Sequence, residues 1–347
     1  MSKARCVLWI NPEQTRLFAG ALRDANIELV GAGAPDPART GQVASDLSTE
    51  PVDDLRVAMS STQADLLVLA SPGSFGDQAQ DADLDALKAA HERNLIVTTL
   101  EPIPAIVSGI AGTSFAHALS TGALDELAHM VPMTRATPMI DELCTVLETF
   151  APVRSCSITI GAPPAMGSLG ARLFDAMDLV RSLIGIPNII DAGYASPAAG
   201  RGMHPLPGQS LRDLHGEFTT NLRFSDGRCA TVLLSDQVAR STISINMLSN
   251  EGHLIADNSG FKWFNTSGEV IDSYTVPVTE DVSADTDTDP STRALIAQLI
   301  EHTTGVGPKR PPIDYPAVLS MSHASLLSTR TGQGESPRAV EQLLLSL

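Results

Sequence analysis

Two kinds of hydrophobic pattern divide the chain. Arg5 to Ile10 is an unbroken apolar run of buried-strand length, closed by Asn11-Pro12. Apolar positions then recur at Leu17, Phe18, Ala21 and Leu22, the spacing of a helix face. A second strand is predicted over Ile27 to Ala32, closed by Pro35-Asp36-Pro37, and a helix over Val52 to Ser60. Asp65 to Ala70 is the cleanest buried strand. After Ser71-Pro72-Gly73 come a helix, Ala82 to Glu92, and a strand, Leu95 to Thr99. Continuous apolar strands alternating with amphipathic helices predict βαβ units and a doubly wound parallel sheet.

From about residue 120 the pattern changes. Helices are predicted over Ala123 to Met130 and Met139 to Phe150, a strand over Ser155 to Gly161, and a helix over Arg172 to Ile184 after the Gly/Pro/Ala-rich loop Ala162 to Gly170. Period-two segments follow: Phe218 to Phe224, Cys229 to Ser235, Ser241 to Leu248, His253 to Ala256, Lys262 to Asn265 and Glu269 to Val276. Their intervening turns, such as Ser225-Asp226-Gly227 and Thr266-Ser267-Gly268, make them hairpins in series and so an antiparallel sheet. The acidic stretch Glu280 to Asp289 reads as a solvated loop, and helices over Thr292 to His302 and Ala317 to Thr331 close the chain. The 347 residues exceed what one core usually serves, so two domains are expected, 1–120 and 121–347. The helices within 292–331 are expected to pack back on the core.

Charge narrows the function classes. A net charge of −17 with no basic block argues against a nucleic-acid partner, which needs clustered Lys and Arg. Cys6, Cys144, Cys156 and Cys229 lie far apart in apolar contexts and read as buried free thiols. With no C-x-x-C pair and the histidines scattered, no metal site is expected. His91, His117, His129 and His323 fall in helical patterns and read as packing or surface residues. Ser114 and His117 lack a G-x-S-x-G elbow, which removes a hydrolase triad. The first residues carry Lys3 and Arg5 without a long apolar run, and no stretch of about 18 apolar residues occurs. A cytoplasmic protein without membrane contact is therefore expected.

Several strings resemble the Gfo/Idh/MocA family of glucose-fructose oxidoreductase and inositol dehydrogenase. Asp65 to Pro72 is similar to the family's fourth strand and the turn after it, and Met133 to Pro138 to the stretch that opens its second domain. Asp178, Leu179 and Arg181 with Leu183-Ile184-Gly185 are similar to the inner helix beside the substrate cleft. Ser249 to Gly252 and Ser328 to Gly332 also fit in order. The resemblance implies a Rossmann-like dinucleotide domain, then an α+β domain with a large, open, mostly antiparallel sheet. It also implies NAD(P), a sugar- or polyol-like substrate, and a dimer through the open sheet, whose strands are expected to present a bare apolar face.

The same comparison exposes departures. The family's G-x-G-x-x-G loop, which lets a pyrophosphate approach a helix N-terminus, is matched here by Ile10, Pro12 and Thr15. Two side chains thus intrude and one backbone donor is lost. The ribose-binding acid is matched by Ala34; Asp36, two residues on, either reaches in to take its place or is a turn aspartate holding its own backbone, the reading preferred. Pro72 falls where the family lines the cofactor. The lysine of the family's Glu-Lys-Pro is matched by Glu101, a charge reversal that repels a developing oxyanion. The inner helix's aspartate and histidine are matched by Ala171 and Asp175.

Glu101, Asp175 and Asp178 read either as an acidic cluster in the cleft or, for the two aspartates, as a solvated helix face. Arg135 reads as their partner, as a holder of an anionic ligand, or as a surface ion pair. The reading adopted is a non-catalytic member with no cofactor: a partner or regulatory subunit, paired with itself or with a dehydrogenase paralogue, or a binder of a sugar-like ligand. The alternatives are an active NAD(P)-dependent sugar or polyol oxidoreductase with an atypical cofactor loop, and cofactor-free chemistry on the three carboxylates.

Overall fold

A computed structural model describes residues 3–77, 80–150, 152–197, 206–277, 290–305 and 312–345. The apolar runs of the first half form a five-stranded parallel sheet: β1 (Arg5–Trp9), β2 (Glu28–Gly33), β3 (Leu66–Leu69), β4 (Ile96–Thr99) and β5 (His129–Met130). Its order is β2-β1-β3-β4-β5, so the chain reverses direction across the sheet between β1 and β3. Every residue of β3 is buried, as a strand covered on both faces requires. The covering helices are α1 (Thr15–Asp24), α2 (Pro37–Asp46), α3 (Leu55–Ser61), α4 (Asp81–Glu92), α5 (Ser114–Thr121) and α6 (Ala123–Leu127).

After α7 (Pro138–Leu147), β6 (Ser155–Gly161) enters the second sheet and α8 (Leu169–Leu183) crosses it. Then follow β7 (Ile189–Ala195), β8 (Glu217–Arg223), β9 (Cys229–Ser235), β10 (Thr242–Leu248), β11 (Gly252–Asp257), β12 (Gly260–Asn265) and β13 (Val270–Thr275). The eight strands order as β13-β12-β11-β10-β6-β9-β8-β7, all antiparallel except the β6–β9 pair. Three helices, α9 (Pro290–Thr304), α10 (Tyr315–Thr331) and α11 (Pro337–Leu344), complete the described chain. α9 packs on α1, and α10 on α8, so the C-terminal segment does return to the core. The acidic stretch 280–289 lies outside the described residues.

The alternation in β8, β9 and β10 places Phe218, Leu222, Val232, Leu234, Ile245 and Met247 on the face beneath α8. The opposite face is not the bare apolar surface expected. Across its strands run Asn221, Thr231, Ser157 and Asn246, and beside them Thr219, Leu233, Thr159 and Ser244. Hydroxyl and amide groups dominate it because the apolar residues of each strand are already committed to the helix side. α8 is consequently sandwiched, and Leu169 to Val180 are all buried. Arg172, Asp175 and Asp178 are buried with it, so a solvated helix face is excluded for the two aspartates.

Other expectations shift for local reasons. The helix expected to reach Met130 ends at Leu127, because Ala128 turns extended and the next residues pair with β4, Thr98 opposite His129. The parallel sheet therefore takes its last strand from beyond residue 120. His129 accordingly lies in a strand, its ring stacked on His302 with centroids 5.1 Å apart. Cys6 and Cys156 are buried, but Cys144 and Cys229 are exposed, the latter on the open face of β9. No helix among the described residues is long and apolar enough to cross a membrane.

Candidate functional site

A doubly wound sheet offers its ligand crevice at the carboxyl ends of the strands flanking the reversal, here β1 and β3. At that crevice the protein's own side chains bond the loops to one another. Beyond β1, Asn11-Pro12-Glu13-Gln14 folds into a short 3-10 turn that opens α1. Gln14 is only 2% exposed. Its Oε1 accepts the Asn11 backbone N–H at 2.9 Å and the Ser71 hydroxyl at 2.7 Å. Its Nε2 donates to the Ala165 carbonyl of the second domain at 3.1 Å. Asn11 Nδ2 donates to Ser71 Oγ at 3.0 Å, closing the network from loop to loop.

The positions matched to the cofactor loop lie in or around this plug. Ile10 is fully buried and its N–H is spent on Gly33. Pro12 contributes no donor, and Thr15 Oγ1 returns to the Pro12 carbonyl at 2.8 Å. Ala34 is buried. Asp36 caps α2 through Ala38 N at 3.0 Å and serves its own backbone. Pro72 is buried between Ser71 and Gly73, and a Cβ on Gly73 would stand 2.7 Å from Pro35. The loops that would part around a dinucleotide are in contact.

Glu101 follows β4 and is buried, but it stands apart from the two aspartates. Its Oε1 accepts Ser168 N–H at 2.6 Å and its Oε2 the Ser168 hydroxyl at 2.7 Å. Ser168 is the N-cap of α8, so the carboxylate sits at the positive end of that helix's dipole. Burial nevertheless raises its pKa, against the pull of Ser168, Arg212 and Arg172. Arg212 ties the same corner together, donating to the carbonyls of Gly73 at 3.0 Å, Phe75 at 2.6 Å and Pro102 at 2.7 Å. Arg172 donates to Pro163 and Gly167. With both oxygens engaged, Glu101 is a clasp between the domains.

Asp175 lies two helical turns beyond Ser168 on the same face of α8. Its Oδ2 accepts Thr134 N–H at 2.8 Å, while Oδ1 has no hydrogen-bond partner among the described residues. Burial pushes its pKa up to about 7, helped by Asp178 and opposed by Thr134 and Arg135. Asp178 is 1% exposed, and Arg135 Nε approaches it at 2.6 Å. Burial raises the Asp178 pKa even against Arg135 and Arg181. The cluster is therefore Asp175, Asp178 and Arg135, without Glu101, and Arg135 forms a buried ion pair rather than a surface one. Beside Asp175, Ala171, Thr134, Met133, Met166 and Arg172 border a cavity of about 30 Å³. By volume it holds a water or two.

Gln14, Ser168, Arg172 and Arg212 carry this architecture and were not singled out from the sequence. Asn11-Pro12-Glu13-Gln14 has the spacing of a capping box, a local signal that says nothing of the reach of Gln14 across the cleft.

No family model and no curated protein sequence matches the chain. Solved structures do. Levoglucosan dehydrogenase in complex with NADH and levoglucosan superposes with a TM-score of 0.66 at 13% identity, over 96% of this chain and 99% of that one. UDP-N-acetylglucosamine 3-dehydrogenase GnnA from Acidithiobacillus ferrooxidans gives 0.63 at 15%, over 99% and 100%. An oxidoreductase from Agrobacterium radiobacter in complex with NAD+, L-tartaric acid and magnesium gives 0.65 at 11%, over 97% and 99%. The chain has the Gfo/Idh/MocA dehydrogenase fold. The expected architecture, a Rossmann-like parallel sheet followed by a large open and mostly antiparallel one, is thus borne out among the described residues. At these identities the likeness concerns the fold.

Proposed function

We propose that this chain is a non-catalytic protein on a dehydrogenase scaffold, serving as a partner or regulatory subunit. The observation that carries the reading is the Gln14 plug, which engages polar groups of the crevice with Asn11, Ser71 and Ala165. A pyrophosphate is held by free backbone N–H groups at a helix N-terminus. Here the Asn11 N–H is used, Pro12 has none, and the second domain is tied across the opening. Glu101 adds a second argument, since a carboxylate bonded to a helix N-cap neither donates a proton to a sugar oxygen nor stabilises its alkoxide. Binding of a sugar-like ligand is the weaker variant, because the cavity at Asp175 is too small for one without separation of the domains.

Calorimetric titration with NAD+, NADH, NADP+ and NADPH tests the reading. No heat of binding is expected at millimolar nucleotide. A dissociation constant in the low micromolar range for any of them overturns it and restores an NAD(P)-dependent sugar or polyol oxidoreductase.

The partner face that fits this role is the open side of the eight-stranded sheet, wide and rich in Ser, Thr and Asn, with Leu233, Leu248 and Ile255 exposed on it. Another copy of the chain, or a dehydrogenase of the same fold, would cover it. Sedimentation should show a dimer at micromolar concentration that Leu233→Arg dissociates. A wild-type monomer would exclude self-association and leave the paralogue to be tested by mixing.

A further inference from the structure

On α10, His323, Leu326, Leu327 and Arg330 follow one another at i, i+3, i+4 and i+7, a single stripe along the helix. With Val107, Val340 and Leu343 they line a cavity of about 340 Å³ that shares no lining residue with the small cavity at Asp175. This volume falls in the range of small-molecule sites. The walls are apolar, and the polar groups stand at defined points.

His323 is 8% exposed. One ring nitrogen, Nε2, lies 3.0 Å from the Ala105 carbonyl. A carbonyl oxygen only accepts, so Nε2 carries the proton and Nδ1 the lone pair. Burial pushes the pKa of this histidine down to about 4, which keeps the ring neutral near pH 7. Nδ1 has no partner among the described residues, and the ring borders the cavity. That lone pair is open to the cavity, where a ligand's O–H can donate to it. Arg330 lies two turns along the same stripe, about 10 Å away by helical rise. It is exposed and makes no ion pair among the described residues.

We propose that this cavity binds a small hydroxyaryl carboxylate, its phenolic O–H donating to Nδ1 of His323 and its carboxylate resting on Arg330. The aryl ring would lie against Leu326, Leu327 and Val340, and the length of such a molecule is of the order of the helical separation of the two polar residues. A saturated hydrocarbon would leave Nδ1 unpaired. A charged sugar would leave the apolar walls wet.

Titration of the full chain with three probes tests the proposal, with no variant at His323 needed. 4-Hydroxycinnamate carries both groups, cinnamate lacks the hydroxyl, and 4-methylphenol lacks the carboxylate. 4-Hydroxycinnamate is expected to bind several-fold, up to about tenfold, more tightly than cinnamate. Arg330→Gln, on an exposed position that leaves the fold intact, should weaken 4-hydroxycinnamate several-fold and leave 4-methylphenol unchanged. Equal affinities for 4-hydroxycinnamate and cinnamate, no binding of 4-hydroxycinnamate at millimolar concentration, or an Arg330→Gln variant that treats both phenols alike would each overturn it.

Discussion

Arg135→Met is expected to lower the stability of the fold by about 3–5 kcal/mol, the usual cost of stripping one partner from a buried ion pair. Arg135 is 7% exposed and Asp178 1%. Burial already strains the ionised form of Asp178, as its raised pKa indicates. The Asp178 oxygens make no hydrogen bond among the described residues, so the ion pair with the guanidinium at 2.6 Å is their main compensation, with Arg181 contributing its field. Without Arg135 the carboxylate must take up a proton or draw in water. Replacing both members tests this account, because Arg135→Met with Asp178→Leu removes the charge together with its need for a partner. Urea unfolding should place the double variant closer to wild type than the single one. A cost below about 1 kcal/mol for Arg135→Met would mean that water reaches the pair, as at exposed ion pairs.

The same residues mark how far the sequence could be read. Continuous apolar strands and period-two hairpins announced both sheets, since burial on two faces or one leaves different residue spacings. Ser155 to Gly161 and Cys229 to Ser235 fell at the observed limits. β7 was missed because Ile189 to Ala195 carries a glycine and no clean alternation. α2 was missed because Pro35-Asp36-Pro37 reads as the close of a strand, although Asp36-Pro37 is an N-cap followed by proline, which equally starts a helix. At the site, the substituted positions were legible but their neighbours' roles were not. Whether Glu101 faces Asp175 or the N-cap of α8 is decided by where α8 begins, and it begins three residues before the Arg172 start that periodicity suggested. The sequence also could not reveal that Gln14 reaches Ala165, a contact 151 residues apart.

Asp175→Asn is expected to raise stability in alkaline solution and to flatten the dependence of stability on pH. In the folded chain the Asp175 carboxyl is held to about pKa 7, against about 3.9 for an unperturbed aspartate. Between those values the folded chain keeps a proton that the unfolded chain gives up. Wild-type stability therefore falls as pH rises from about 4 to about 7, by as much as about 4 kcal/mol for a shift of this size, and levels off above. Asparagine keeps an oxygen for the Thr134 N–H and carries no titratable proton, so the variant lacks that decline. Melting curves at pH 4.5 and pH 8 check the sign: the variant should gain several degrees over wild type at pH 8 and nothing at pH 4.5. A loss of several degrees at pH 8 would show that the charged carboxylate is what Thr134 and Arg135 require, and that Asp175 holds the domains together as an anion. The expected gain would instead identify an acid kept at a cost in stability.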